Sequence, residues 1–163
     1  MGEKRMVYIS GALSDMDEAE RAKLRTFYEW IGETCEAHGF SVYLPHKYGD
    51  PKRNADKTPQ QIDQIDRQAV TLSFFMIAYV GIPSIGVGIE IEMAWHANKP
   101  VVLIAEQDRI NERRVSRLVR GSPSVWHEIG FADHEDAIRQ LKEYLPKFIV
   151  EFRAMDLPPP ISV

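Results

Sequence analysis

Short apolar runs alternate with longer segments of mixed polarity along this chain. The runs have the length and the β-branched and aromatic content of buried strands, at residues 6–9, 40–44, 72–80, 101–105 and 124–126. Apolar residues at helical spacing fill the segments between them, at residues 15–38, 58–70, 88–97, 108–119 and from 133 or 134 onward. The pattern therefore predicts strands and helices in regular alternation.

This alternation predicts an α/β fold, because a helix between two strands returns the chain for parallel pairing. We expect a single domain over residues 1–150, with an open, mostly parallel five-stranded sheet and helices on both faces, Rossmann-like or flavodoxin-like. Thr58, Pro59 and Gln61 have the spacing of a helix start with a capping box. Pro146 is expected to kink or end the last helix, and residues 151–163 to form an extended, Pro-rich tail.

Residues 72–104 form the most informative stretch, which reads as a β-loop-α-β unit. Gly86 and Gly88 mark the change from loop to helix, where the lack of a Cβ lets a ligand approach the backbone. Glu90 is expected in the first turn of this helix. Amide dipoles there favour negative charge, so we expect an ionised Glu90 that is suited to act as a nucleophile.

A second small-residue turn, Ser10-Gly11-Ala12, follows the first strand. The carboxyl ends of parallel strands meet at one edge of a sheet, so both turns are expected near a single ligand site. A polar loop over residues 45–57, which contains His46, is long enough to cover such a site. Near the middle of the helix over residues 58–70, Asp63, Asp66 and Arg67 are charged candidates for a role in the site.

Composition excludes several functions. The 163 residues have a formal charge of −4 without long charged runs, which gives no argument for a nucleic acid polymer as partner. The lone Cys35 excludes an internal disulfide and a Cys-rich metal site, and the histidines lack metal-ligand spacing. No apolar signal region and no run of membrane-spanning length is present, so we expect a cytoplasmic protein without a membrane partner.

Several of these motifs together resemble a known family. They are Tyr8-Ile-Ser-Gly11 after the first strand, Asp66, Pro83-Ser-Ile-Gly-Val-Gly-Ile-Glu90 with Ala94, and Ser116-Arg-Leu-Val-Arg-Gly121. In this order and spacing they resemble the nucleoside 2-deoxyribosyltransferase superfamily. The likeness is greatest to its hydrolytic branch, the 2′-deoxynucleoside 5′-phosphate N-hydrolases and the CMP N-glycosidases.

The resemblance implies a role for each matching residue. Glu90 would attack the anomeric carbon and form a glycosyl-enzyme, while Asp66 would orient Glu90 or the sugar and handle the proton of the departing base. Tyr8 would contact the nucleophile or the sugar. The candidate substrate-binding residues are Ser10, Gly11, Ala12, His46, Ser84, Gly86, Gly88 and Ser116, of which the resemblance assigns Gly11, Ser84, Gly86 and Ser116.

Within that set, Ser84 and the amides near Gly86 would hold a 5′-phosphate, and Ser116 would reach in from a second subunit. The resemblance therefore implies a homodimer with shared active sites, a small nucleotide or nucleoside as ligand, and no cofactor or metal. The phosphate-reading branch has a serine and an arginine in the turn after the first strand, where this chain has Ala12 and Ser14. The cation that would read a phosphate is thus not identified from the sequence.

Four functions remain open at this point. The first is hydrolysis of the N-glycosidic bond of a nucleoside 5′-monophosphate through a glutamate-linked intermediate. The second is a nucleoside 2-deoxyribosyltransferase, in which a second nucleobase resolves the same intermediate. A nucleotide sensor without turnover and an NAD-cleaving enzyme are more distant alternatives.

Overall fold

The computed structural model describes residues 5–48 and 55–154, and five strands within them form one sheet in the order β2-β1-β3-β4-β5. The strands are β1 (Met6–Ser10), β2 (Ser41–Tyr43), β3 (Phe75–Tyr79), β4 (Val101–Glu106) and β5 (Val125–Phe131). Every pair of neighbouring strands is parallel. The predicted α/β fold with a five-stranded parallel sheet is therefore confirmed.

Helices connect the strands and cover both faces of this sheet. They are α1 (Glu18–Ala37), α2 (Pro45–Tyr48), α3 (Pro59–Leu72), α4 (Ile85–His96), α5 (Gln107–Asn111), α6 (Arg117–Arg120) and α7 (His134–Ala154). Helices α1 and α7 pack on one face, and α3 and α4 pack on the other. None of the helices in the described part of the chain is both long enough and apolar enough to cross a membrane.

Strand β1 contributes to both cores, because successive side chains of a strand point to opposite faces. Val7 and Ile9 belong to the cluster formed with α1 and α7, whereas Tyr8 belongs to the cluster formed with α3 and α4. Ser10 lies two residues after Tyr8 and shares its face. A tyrosine hydroxyl and a serine hydroxyl are thus directed from the central strand toward α3 and α4.

The start of helix α3 confirms the predicted capping box. The Thr58 hydroxyl accepts a hydrogen bond from the Gln61 amide at 3.2 Å, and the Gln61 side chain accepts one from the Thr58 amide at 2.8 Å. This reciprocal pair satisfies two amide groups that the first turn of a helix leaves without backbone partners. The orientation of α3, which carries Asp66, is therefore fixed from its first turn.

Two elements differ from the sequence prediction. A single helix over residues 108–119 was wrong: α5 and α6 are separated at Arg113, whose φ of 58° is in the left-handed region. This turn lets Ile110 and Val115 both pack against Ala105. Strand β5 is longer than residues 124–126, because Ile129 and Phe131 are buried and the strand pairs with β4 to its end.

The predicted polar loop at residues 45–57 is only partly described. It begins with the short helix α2, and residues 49–54 lie outside the described residues.

Helix α7 continues through Pro146, so this proline does not end the helix. Pro146 lies on the exposed side, while Leu145 and Phe148 on either side of it are completely buried. The buried apolar stripe thus outweighs the one backbone hydrogen bond that proline cannot donate. Residues 151–154 are helical rather than part of the expected extended tail, and residues 155–163 lie outside the described residues.

Replacement of Phe148 by alanine tests this continuation of α7 beyond Pro146. Phe148 is completely buried and its ring packs on Phe75 at 4.7 Å between centroids. We expect Phe148→Ala to lower the free energy of unfolding by ~3–5 kcal/mol in urea titrations. Val150→Ala, at a position that is 68% exposed on the same helix, is the control and should change it by less than about 0.5 kcal/mol. Equal effects of the two substitutions would contradict the helix register.

Candidate active site

The strand order changes direction between β1 and β3, and this change creates a cleft at the carboxyl ends of the two strands. The connections from β1 and from β3 leave the sheet in opposite directions along the strand order, since β2 lies on one side of β1 and β4 on the far side of β3. Ligands of open parallel sheets bind at such a switch point, beyond the carboxyl ends of the strands. The two turns singled out in the sequence follow these two strands.

Glu90 lies at this edge and is held by two hydroxyl groups of β1. The Tyr8 hydroxyl donates a hydrogen bond to Glu90 Oε1 at 2.8 Å, and the Ser10 hydroxyl donates one to Glu90 Oε2. Both donor side chains are completely buried, whereas Glu90 keeps partial exposure. Each carboxylate oxygen thus has its own donor, and both donors come from one strand face.

Helix α4 places Glu90 later than the sequence suggested. Ser84 is the N-cap residue and the helix begins at Ile85, so Glu90 is in the second turn rather than the first. The favourable effect of the helix dipole falls off within the first turn. Helix amides are therefore not what keeps this carboxylate in place, and the β1 hydroxyls take over that role.

Burial raises the pKa of Glu90 to about 7, with the Ser10 and Tyr8 hydrogen bonds acting in the opposite direction and Asp66 adding to the increase. The expectation of a carboxylate kept firmly ionised is thus corrected: loss of water outweighs two hydrogen bonds. At neutral pH the ionised and protonated forms of Glu90 are both populated.

Asp66 is the second carboxyl group of the site, contributed by α3. Its pKa is raised by burial, lowered by a hydrogen bond with the Tyr8 hydroxyl, and raised again by Asp63. The Tyr8 hydroxyl therefore interacts with both Glu90 and Asp66, and its own pKa is raised by burial and by these two carboxylates. Tyr8 remains a neutral hydrogen-bond donor between two acids that each bind a proton more readily than in water.

Tyr43 is a site residue that the sequence analysis missed. Tyr43 of β2 is directly opposite Tyr8 in the parallel register, and the two rings stack with centroids 5.2 Å apart. This contact fixes the Tyr8 ring on the side away from β3. The signal for it was the strand register, which a single sequence does not provide.

The space beside the turn after β1 is occupied by the side chain of Tyr28. A Cβ at Gly11 would lie 2.2 Å from Cζ of Tyr28, so glycine is required there by Tyr28 rather than by a ligand. Ala12 is buried, and its carbonyl accepts a hydrogen bond from the Tyr28 hydroxyl at 2.9 Å. Tyr28, another residue that sequence reasoning missed, therefore determines the shape of this turn.

His46 lies behind Tyr28. Its ring is 6.3 Å from that of Tyr28, and its Nε2 atom is 3.5 Å from a carboxylate oxygen of Glu29. The His46 side chain is 6% exposed, and burial lowers its pKa. These contacts indicate a packing role for His46 in the wall of the site.

The turn after β3 is anchored by a polar network. The Tyr79 hydroxyl donates to Glu106 at 2.8 Å, and Arg109 donates to the Gly81 carbonyl at 3.0 Å. A Cβ at Gly81 would lie 2.1 Å from Glu106, so this glycine is required for the close approach. The loop that leads to Ser84 is therefore held by side chains from β3, β4 and α5.

Three of the remaining predicted binding residues, Ser84, Gly88 and Ser116, line a cavity of about 410 Å³ at the start of α4. Its walls are formed by Val80, Ile82, Pro83, Ser84, Ile85, Val87, Gly88, Arg114, Ser116 and Val119. Ser84 caps α4 by accepting a hydrogen bond from the Val87 amide at 3.4 Å. Ser116 caps α6 in the same way, by accepting one from the Val119 amide at 3.4 Å. Ser116 thus reaches this cavity within one chain.

Gly86 and Gly88 leave open space beside α4. Nothing lies within 4 Å of a Cβ at Gly88, and only the Ser84 hydroxyl, at 3.8 Å, is near one at Gly86. Packing within the chain therefore does not demand glycine at either position, unlike at Gly11.

Among the described residues, no three His, Cys, Asp or Glu side chains are grouped as metal ligands.

No protein-family model matches the chain, but one curated relative is similar to it in sequence. A relative from Thermofilum pendens (strain DSM 2475 / Hrk 5), named provisionally as a 2′-deoxynucleoside 5′-phosphate N-hydrolase 1, is 29% identical over 119 residues. The match spans 70% of this chain and 80% of the relative.

Two solved structures extend the likeness. BlsM is 25% identical with a TM-score of 0.69, over 96% of this chain and 98% of BlsM. The CMP N-glycosidase BcmB of Clostridium botulinum is 22% identical with a TM-score of 0.64, over 86% of this chain and 99% of BcmB, and this similarity supports the fold.

Fold, site motifs and relatives together define a protein similar to the nucleoside 2-deoxyribosyltransferase superfamily. Within that superfamily, the relative from Thermofilum pendens supports the resemblance to the branch of N-hydrolases.

The raised pKa of Glu90 predicts how stability depends on pH. The pKa in the folded protein is about 7, above the ordinary value of 4.5, so ionisation of Glu90 costs folding free energy. This cost is absent below pH 4.5 and develops fully as the pH rises through 7. We expect Glu90→Gln to be more stable than the wild type at pH 8 by ~2–3 kcal/mol, with little difference at pH 4.5.

Urea titrations at both pH values measure this difference. The control is Glu92→Gln, at a side chain that is 61% exposed on the same helix and that should alter stability by less than about 0.5 kcal/mol at either pH. A Glu90→Gln variant whose stability runs parallel to the wild type across this pH range would contradict the burial of Glu90.

Proposed function

We propose that this protein hydrolyses the N-glycosidic bond of a nucleoside 5′-monophosphate to a free base and a sugar 5-phosphate. The observation that carries the proposal is the Glu90 carboxylate, held by Tyr8 and Ser10 beside Asp66 at the ligand-binding edge of the sheet. The provisional name of the Thermofilum pendens relative supports the substrate class. Two carboxyl groups with different environments are what glycosidic cleavage requires.

In the first step, ionised Glu90 attacks the anomeric carbon of the sugar. The C–N bond breaks, its electron pair goes to the base, and Asp66 supplies the proton that makes the base a neutral leaving group. The raised pKa of Asp66 favours its protonated form for this purpose. The product of the step is a glycosyl ester of Glu90.

In the second step, water attacks the same carbon and Glu90 departs as a carboxylate. Asp66, now ionised, accepts the proton of the water molecule. Negative charge therefore alternates between Glu90 and Asp66, and the Tyr8 hydroxyl interacts with both. We infer that Tyr8 donates its hydrogen bond to whichever carboxylate is charged.

The open start of α4 is the proposed place of the 5′-phosphate. Ser84 and the free amides near Gly86 offer donors there, and a helix N-terminus favours an anion. Arg114 lines the same cavity, but it also pairs with Glu112 at 2.8 Å and Asp108 at 3.6 Å. In this cavity a phosphate would therefore be bound mainly by the neutral donors, while the charge of Arg114 is partly neutralised by its two carboxylate partners.

We further propose that the protein is a homodimer with shared active sites. Ile85 of α4 and Leu118 of α6 are 86% and 87% exposed, and Ile89, one turn after Ile85, is 48% exposed. Large apolar side chains clustered in this way favour a protein interface. A second copy on this surface would lie against the rim of the cavity that contains Ser84 and Ser116.

Product analysis tests the proposed reaction. Incubation with ribo- and deoxyribonucleosides and their 5′-monophosphates should release free base from a monophosphate in preference to its nucleoside. Glu90→Ala should lower the rate by ~10³-fold or more, and Asp66→Asn by ~10²–10⁴-fold. The control Glu92→Ala, on the exposed side of α4, should retain the wild-type rate.

Added acceptor base separates the alternatives. New nucleoside or nucleotide formed from the added base would identify a transferase, because a hydrolase passes the sugar to water. Nucleotide binding without base release, unchanged in Glu90→Ala, would indicate a sensor and contradict the proposal.

Mixed dimers test the shared site. Ser116 lines the cavity of its own chain, so sharing of active sites means that Ser116 also contacts the substrate bound by the partner. Combining Glu90→Ala and Ser116→Ala subunits places one intact Glu90 opposite one intact Ser116. Purified mixed dimers should then exceed the activity of either parent dimer, reaching roughly half of wild type since one of two sites is complete. Activity no higher than the mean of the two parent dimers would contradict shared active sites.

The double variant Ile85→Asp, Leu118→Asp tests the dimer surface itself. Light scattering of this variant should show a monomer.

A further inference from the structure

The two hydroxyls that hold Glu90 differ in their surroundings. The Tyr8 hydroxyl donates to Glu90 Oε1, and its interaction with Asp66 lowers the pKa of that second carboxyl group. The Ser10 hydroxyl donates to Glu90 Oε2 and is completely buried. A serine without access to water depends on this bond to satisfy its own donor.

The backbone of Ser10 is also held firmly. Ser10 is the last residue of β1 and pairs with Ala78 of the neighbouring strand β3 in the centre of the sheet. A short side chain on such a strand has one rotatable bond before its oxygen. Its hydroxyl can therefore fix an oxygen of Glu90 more closely than a long or mobile donor can.

We propose that Ser10 is a positioning residue for Glu90, which fixes Oε2 throughout the reaction and so leaves Tyr8 free to alternate between Glu90 and Asp66. The sequence indicated only a substrate-binding role for Ser10, from its place in the turn after the first strand. The present role is directed at the nucleophile, and as far as turnover is concerned it rests on the proposed function.

The groups around Glu90 make the hydrogen bond from Ser10 important for the ionised form of Glu90. Tyr8 faces Glu90 from β1 and Asp66 faces it from α3, while Tyr28 of α1 is near enough to be affected by its charge. Within the described residues, no cation opposes the effect of burial on the Glu90 pKa, which the Ser10 and Tyr8 hydroxyls alone lower. Removal of one hydroxyl therefore leaves the ionised form with a single donor.

Carbon-13 NMR titration of labelled glutamate side chains tests the contact without any substrate. The Glu90 carboxyl signal is identified by its absence from Glu90→Gln. In Ser10→Ala the titration midpoint of Glu90 should rise by ~1 pH unit, the effect of losing a hydrogen bond to a charged group. Ser10→Thr, which retains the hydroxyl, should restore the midpoint toward the wild type.

Ser73→Ala is the matched control. Ser73 is also buried and donates its hydroxyl to the Val70 carbonyl at 2.7 Å, at the end of α3. It should lower the melting temperature as Ser10→Ala does, but leave the Glu90 midpoint in place. If Ser10→Ala does not fold, Ser10→Cys, which supplies a weak donor of similar size, should give an intermediate midpoint.

Activity provides the second readout. In Ser10→Ala, kcat/KM for base release should fall by ~10-fold at pH 6 and much less at pH 9, where Glu90 is ionised in either protein. A Glu90 midpoint that is the same in Ser10→Ala and wild type would overturn the proposal. Absence of base release from the wild type would overturn the proposed function instead, and the NMR result would still decide the role of Ser10.

Discussion

The site depends on a carboxylate that has been taken out of water without a described cation beside it. Burial raises the pKa of Glu90 to about 7, and hydroxyls of Tyr8 and Ser10 oppose that increase. Hydrogen bonds to a buried charge are strong but directional, so the donors must be held closely. The central position of β1, paired with β2 on one side and β3 on the other, provides that rigidity. Alternation along the strand directs both donors to the same face.

The surrounding packing can be understood as support for this arrangement. Tyr43 stacks on Tyr8 from β2, and Tyr28 fills the space beside Gly11 and bonds to the Ala12 carbonyl. On the other side, the network of Tyr79, Glu106 and Arg109 holds the turn that leads into α4. Each turn of the site is thus fixed by aromatic or charged side chains from neighbouring elements. Two glycines, Gly11 and Gly81, are required by these contacts, whereas Gly86 and Gly88 face open space.

Sequence reasoning predicted the fold well because hydrophobic periodicity and capping are local. The capping box at Thr58 and the strands before Ser10 and Gly81 are examples. It failed where distant contacts decide, as at Arg113, where burial of Ile110 and Val115 divides an expected helix. Motif resemblance indicated Glu90, Asp66 and Tyr8, which the structure brings together. The stacking of Tyr43 follows from strand register, and the contact of Ser10 with Glu90 follows from the packing of α4 on the sheet; a single sequence contains neither.

A pKa near 7 has a consequence for a two-step reaction at neutral pH. The group that attacks must be charged before the first step and must leave as a charged group in the second, so a carboxylate of intermediate basicity is suited to both. In the proposed reaction, Asp66 passes through the opposite sequence of states, protonated first and ionised afterwards. Tyr8, whose hydroxyl interacts with both acids, lets the stabilising hydrogen bond follow the charge. Such an exchange keeps the geometry of Glu90 intact only when a second donor remains bound to it, and Ser10 occupies that position.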